Sequence, residues 1–319
     1  MCPPGPVTGE HVRAARETIG ARLHRTPTFS SAALSRRTGA NVFLKAELFQ
    51  RTGSFKPRGV LNRLASLTAG ERDRGVIGIS AGNHAQALAY CSALEGIDCL
   101  VVMWASASTQ KIAAAREYGA AVDLEADGPS GAFDRLAELM RETGRTLVHP
   151  FDDPLVIAGQ GTVALEIAED VPGVEAILVP VGGGGLVAGI AAAGVARRVV
   201  AVEPELSPAL HEGLAAGRSI PVAFESIADG LNAPFAGETA LAVCQAAGVE
   251  PVLVADGEIE AAFRFLYGRA KLACETAGAA ATAALLAGKV TLEPGATVVA
   301  VVSGGNVAPE TASGILASR

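Results

Sequence analysis

Short runs of β-branched and other apolar residues alternate along this chain with longer alanine-rich stretches, and no other feature narrows its fold as much. The runs lie at 42–49, 75–80, 99–104, 121–125, 176–181, 199–203, 252–255 and 297–303. They are apolar throughout instead of at every second position, the pattern of strands covered on both faces. The stretches at 82–95, 109–118, 130–143, 156–169, 185–195, 259–271 and 277–286 carry helical patterns. Strands and helices in such alternation build an α/β fold with parallel sheets. A length of 319 residues, 50% hydrophobic and 18% charged, argues against disorder and gives core enough for two domains.

A net charge of −7 leaves no broad cationic surface for nucleic acid or anionic lipid. Cys2, Cys91, Cys99, Cys244 and Cys274 are odd in number and scattered, without a CxxC pair, and read as buried thiols of a reducing compartment. The opening MCPPGPVTGEHVRAAR lacks the basic start and apolar core of a signal peptide. A cytoplasmic protein is therefore expected. The charge-free run 176–196 is long enough to cross a bilayer, but Pro180 and the glycines from Gly182 to Gly185 would break a spanning helix, so no membrane partner is expected. No repeat or low-complexity linker is visible, and no further domain is expected after the last strand.

In open α/β sheets, ligands gather at the carboxyl ends of strands. Four segments there carry chemistry. SAGNHAQALA, Ser80 to Ala89, puts Ser, Gly and Asn at a helix start, where backbone N–H groups would receive a carboxylate. Ordinary helix capping uses the same residues. VPVGGGGLVAGIA lets the backbone close around a phosphate at a helix N-terminus, although it is neither a GxGxxG fingerprint nor a nucleotide-triphosphate loop. VVSGGNVA ends a strand in a hydroxyl and two glycines, which is also common turn chemistry. TGSFKPRG sets Lys56 beside an aromatic ring; a partly desolvated amine there can form a Schiff base, whereas most lysines at helix starts are simply solvated. Together the four suit pyridoxal phosphate with an amino acid better than a nicotinamide cofactor or a Ser–His–Asp site, since no elbow GxSxG is present.

With FLKAELFQRTGSFKPRG, SAGNHAQALAY, AREYGA, HPFDDPLVIAGQGTVALEI, VPVGGGGLVAGIA, ESIADGL and SGGN in this order, the chain resembles the threonine dehydratase and serine racemase family of fold type II pyridoxal-phosphate enzymes. The resemblance covers nearly the whole sequence. It implies two open parallel-sheet α/β domains with the active site in the cleft between them, residues 1–65 and 150–319 forming a large cofactor-binding domain and 66–149 a small one. It implies that Lys56 holds the cofactor as a Schiff base and then handles the substrate's Cα proton. Phe55 would pack beside the ring and Asn83 would meet its 3′ oxygen. Gly182, Gly183, Gly184, Gly185 and Leu186 would give N–H groups to the phosphate. Ser303 would bond the pyridine nitrogen, with Gly230 and Glu275 near the ring. Ser80, Ala81, Gly82, Asn83 and His84 would receive the substrate carboxylate. The implied reaction is β-elimination of L-threonine or L-serine to a 2-oxo acid and ammonia, in a homodimer. A serine hydroxyl cannot protonate the pyridine as a carboxylic acid would, which favours prompt loss of the β-substituent.

Departures from the family pattern sharpen these expectations. Racemases place a serine where this chain has Ala81, and alanine offers no acid or base for the second face. A dehydratase is expected before a serine racemase. Glu203 and the Ser207 carbonyl fit two ligands of a divalent-metal site, but Ala209 stands at the acidic third position, so no divalent metal is expected and a monovalent cation stays open. Trp104 replaces a proline usual after this strand, and Asn232 and Pro234 lie near the expected mouth of the site. Alternatives are a lyase for 3-hydroxyaspartate or phenylserine, a β-replacement synthase, and a non-catalytic binder of amino acid or cofactor. Lys56, the glycine loop and Ser303 argue against the last. Without a further domain, feedback control by isoleucine is not expected.

Overall fold

The computed structural model describes residues 7–318; Cys2 lies outside the described residues. Ten strands are present among them: β1 (Thr28–Ser30), β2 (Asn41–Ala46), β3 (Val76–Ile79), β4 (Cys99–Trp104), β5 (Ala121–Ala126), β6 (Thr146–Leu147), β7 (Ala176–Pro180), β8 (Arg198–Pro204), β9 (Glu250–Val254) and β10 (Thr297–Val302). They form a six-stranded sheet in the order β1-β2-β10-β7-β8-β9 and a four-stranded sheet in the order β5-β4-β3-β6. Every pairing is parallel except that of β1 with β2.

Uniform apolarity in the strands has the expected consequence. Along β10, Val298, Ala300 and Val302 enter one core layer, while Val299 and Val301 enter the layer on the opposite face. Helices Asp256–Phe265 and Thr276–Leu286 cover the first face, and Pro154–Asp170, Gly185–Ala193 and Glu238–Ala246 cover the second. The smaller sheet is covered likewise, by Asn83–Glu95 on one face and Pro129–Thr143 on the other.

The structure corrects the sequence reading in four places. The run expected as a strand at 42–49 leaves the sheet at Ala46 and turns through a 3₁₀ segment, Glu47–Phe49, because the Glu47 carboxylate is drawn into a buried ion cluster. Strands β1 and β6 went unforeseen, being three and two residues long and too short to show a period. β1 also breaks the all-parallel expectation. The helix expected at 259–271 is α-helical only over Asp256–Phe265, followed by a π-helical turn, Leu266–Ala270, that ends at Lys271 in the left-handed region. The charge-free run divides into β7 and helix Gly185–Ala193, and among the described residues no helix is long and apolar enough to cross a membrane.

The buried ion cluster anchors the helix Pro57–Ala65, which has Lys56 at its N-cap. Arg58 donates to both oxygens of Glu47 at 2.9 Å and to Glu166 at 2.7 and 3.0 Å. Lys45, fully buried, donates to Glu166 and to the Thr26 carbonyl at 2.8 Å. Buried charges persist only when paired in this way. The cluster thus joins β2, helix Pro57–Ala65 and helix Pro154–Asp170, fixing where the residue two before Arg58 begins.

Candidate active site

Lys56, Phe55, the 80–84 loop, the 182–186 loop, Gly230, Glu275 and Ser303 all line one cavity of about 800 Å³. Its walls come from the ends of strands in both sheets. The lysine loop is stapled to the loop after β10: Phe55 N–H donates to the Ser303 carbonyl at 3.2 Å and Gly305 N–H to the Gly53 carbonyl at 2.9 Å. Both loops leave β2 and β10, which are paired in register to their ends at Ala46 and Val302. Residues far apart in sequence are therefore held together by the sheet itself.

Lys56 Nζ donates to the Pro150 carbonyl at 2.9 Å and lies 5.2 Å from the centre of the Phe55 ring. Burial lowers its pKa to about 8, against the pull of the Glu275 carboxylate. Burial, aided by the like charge of Asp229, raises Glu275 to about 8, with the Asn83 hydrogen bond opposing. Asn83 donates to Glu275 at 2.7 Å, and its own oxygen accepts from Asn306 at 2.8 Å. Asn306 also donates to the Thr52 carbonyl at 2.7 Å, closing a chain from the lysine loop to the far wall.

The glycine loop is a cradle of N–H groups. None of the N–H groups of Gly182, Gly183, Gly184, Gly185 and Leu186 meets a partner among the described residues, as befits the open N-terminus of helix Gly185–Ala193. Gly184 turns with φ +93°, and a Cβ at Gly183 would fall 2.3 Å from the Phe151 ring. Side chains are thus shut out from behind, while the donors border the cavity. An anionic group of phosphate size suits this donor set.

Comparison with known proteins agrees with this geometry. Residues 21–304 match the family described as pyridoxal-phosphate dependent enzyme. The chain belongs to the pyridoxal-phosphate-dependent enzymes. It is 40% identical to the L-threonine ammonia-lyase of Thermotoga maritima over 94% of this chain and 76% of that protein. It is 41% identical to a catabolic L-threonine dehydratase of Staphylococcus aureus, over 96% and 90%. Among solved structures, maize serine racemase superposes with a TM-score of 0.91 at 32% identity, covering 96% of each chain. The processed form of threonine deaminase isoform 2 from Solanum lycopersicum superposes with a TM-score of 0.89 at 32% identity, covering 99% of this chain and 96% of that one. The fold is that of fold type II members of this family.

As a pyridoxal-phosphate enzyme the chain has further features that sequence reading left open or missed. Ser80 Oγ accepts from Gly82 N–H at 3.0 Å, and the helix N-cap is Gly82, so the serine is not the cap of helix Asn83–Glu95. The His84 ring turns away to the Val148 carbonyl at 2.9 Å, and burial, reinforced by Lys56, drops its pKa to about 3. Glu203 caps helix Ala209–Ala216 through the N–H groups of Leu210 and His211, at 2.7 and 2.8 Å. Both its oxygens are thus engaged by backbone, and among the described residues no group of three His, Cys, Asp or Glu is placed to hold a metal. Asn306 stood in the quoted SGGN motif without a role, and Pro150 and Phe151 in HPFDDP. Lys111, on helix Thr109–Glu117, and Asp229, on the 3₁₀ segment Asp229–Leu231, pair at the cavity wall, a contact with no sequence signal.

Proposed function

We propose that this chain is an ammonia-lyase converting L-threonine, and L-serine, to a 2-oxo acid and ammonia. One observation carries the reading: a lysine amine with a lowered pKa, a cradle of N–H groups without partners among the described residues, and a carboxyl that accepts from the Asn83 amide converge on a single cavity. Relatives named for threonine elimination support the choice of substrate. In this reading Lys56 holds pyridoxal phosphate, Gly182 to Leu186 hold its phosphate, and Asn83, Ser303, Gly230, Glu275 and Phe55 surround its ring. When bound, the cofactor supplies the electron sink that makes the Cα–H bond acidic.

The protein's own part is positional. Of the 80–84 loop, the N–H groups of Ala81, Asn83 and His84, which meet no partner among the described residues, orient the substrate carboxylate, while those of Ser80 and Gly82 are taken by the Val102 carbonyl and Ser80 Oγ. The Lys56 amine, uncharged above its lowered pKa, accepts the Cα proton. The Ala81 methyl has no proton to give from the other face, so elimination is favoured over racemisation. The presence of two separate sheets supports a reading of a large domain, 1–65 and 150–319, and a small one, 66–149, with closure between them excluding water. Cys91, Cys99, Cys244 and Cys274 are free and buried, which supports a cytoplasmic enzyme, taken here as a homodimer.

The test is an assay of 2-oxo acid and ammonia from L-threonine, L-serine and 3-hydroxyaspartate, alongside the yellow colour of the purified protein and its loss with borohydride. Colour without turnover on any of them would leave a binder. Interconversion of L- and D-serine as fast as ammonia release would make it a racemase instead.

A further inference from the structure

Once the loops for amine, carboxylate, ring and phosphate are assigned, the rest of the cavity wall mixes polar groups such as Ser106, Ser108, Lys111 and Asp229 with a set of aromatic rings. Trp104, Phe133, Phe151, Phe224 and Phe235 all line it. Phe133 lies one residue past the buried stripe Ala132, Leu136 and Leu139, so helix Pro129–Thr143 directs it off the core, and it is 41% exposed. From the other side of the cleft Phe235 approaches it, with ring centres 6.4 Å apart and planes at 44°. Phe235 also meets Phe151 edge-on at 5.7 Å. The pair across the cleft is tilted, unlike the stacked pair Phe263 and Tyr267 at 4.7 Å and 28°, and so covers less of either ring face. Phe133 and Phe235 thus come from opposite sides of the cleft and keep apolar surface uncovered in a site.

We propose that this wall reads the β-substituent of the substrate, and that the cavity prefers β-hydroxy amino acids bearing an aryl group, with Phe133 and Phe235 as the specificity-determining residues. The reaction rests on the elimination reading above; the wall does not. A threonine methyl covers little of the phenyl surface that this pair turns to the cavity, whereas an aryl ring laid against the pair buries its own surface and theirs. Pocket contacts of this kind discriminate by tens of fold in kcat/KM. The chemistry balances as for threonine. The Cβ–O bond breaks, water leaves, and hydrolysis of the enamine returns that water, so one substrate yields one 2-oxo acid and one ammonia.

The experiment compares L-threo-3-phenylserine with L-threonine in the holoenzyme. We expect kcat/KM for phenylserine to be higher by about tenfold or more. In Phe133→Ala and Phe235→Ala, the phenylserine-to-threonine ratio should fall by about tenfold. A second readout needs no turnover: L-phenylalanine, which lacks the β-hydroxyl, should stabilise the wild type against heat more than L-alanine does, and the margin should shrink in both variants. A wild type that prefers threonine, a ratio unmoved in both variants, or no margin for L-phenylalanine would overturn the inference. A margin for L-phenylalanine with no 2-oxo acid from any β-hydroxy amino acid would uphold the wall and discard the lyase.

Discussion

Lys56 and Arg58 are two residues apart at the start of one helix, and the protein treats them in opposite ways. Arg58 is buried against two carboxylates, Glu47 and Glu166, which hold its pKa above the ordinary value in spite of burial. Lys56 has a carbonyl oxygen for a partner, and burial brings its pKa down to about 8. A desolvated cation either receives its counter-charges and becomes structure, or is denied them and becomes reactive. The helix presents both outcomes because residues 56 and 58 lie some 200° apart around its axis.

Replacing each cation in turn breaks the contrast. Lys56→Ala should lower kcat by a factor on the order of 1,000 or more while leaving the melting temperature within a few degrees, as seen by ammonia release and a thermal melt. The borohydride-fixable colour should vanish with it. A variant that keeps a tenth of the activity would remove Lys56 from the chemistry. Arg58→Ala should do the reverse in kind, stranding Glu47 and Glu166 without their partner at a cost of about 3–5 kcal/mol. That predicts a fall in melting temperature of roughly 10 °C by calorimetry.

The contrast is sharpened by pH. Below about pH 8 the Lys56 amine is protonated and cannot attack an aldehyde, so the rate at which apoprotein takes up pyridoxal phosphate should rise about tenfold per pH unit and level off above 8. Between about 8 and the ordinary 10.5, the unfolded chain keeps a proton that the folded one has released. Stability contributed by this group therefore rises with pH through that window. A rate that keeps rising tenfold per pH unit beyond pH 9, as for an amine at the ordinary 10.5, would mean that burial does not tune it. The smallest effect belongs to Arg63 on the same helix, paired with Asp153 at 3.0 Å and partly open to water. Arg63→Ala should cost at most about 1 kcal/mol in denaturant unfolding.

Strands β7 and β10 were legible because they are buried on both faces and so are apolar at nearly every position. The glycine loop was legible for a related reason: a strand that passes straight into a helix through glycines leaves few other uses for them. Glu47 was not, because what removes it from a strand is a charge on another segment. Nor was the state of Glu203, whose partners are backbone groups seven and eight residues on. The Phe133–Phe235 approach joins positions 102 residues apart that share no pattern, and no periodicity can announce such a pair.

By itself, then, the sequence determined the α/β alternation, the loops at the strand ends and the kind of chemistry they hold, since these depend on local spacing and residue type. How far the Lys56 amine would be desolvated, and that Arg58 would be fully paired, was decided only by the tertiary structure. The Lys56 pKa is a property of what folding packs around its amine: burial lowers it, and the charge of the Glu275 carboxyl, from 219 residues away, opposes that. In TGSFKPRG nothing marks which of the two cations will be paired. Folding sends the carboxylates to one and leaves a cavity for the other.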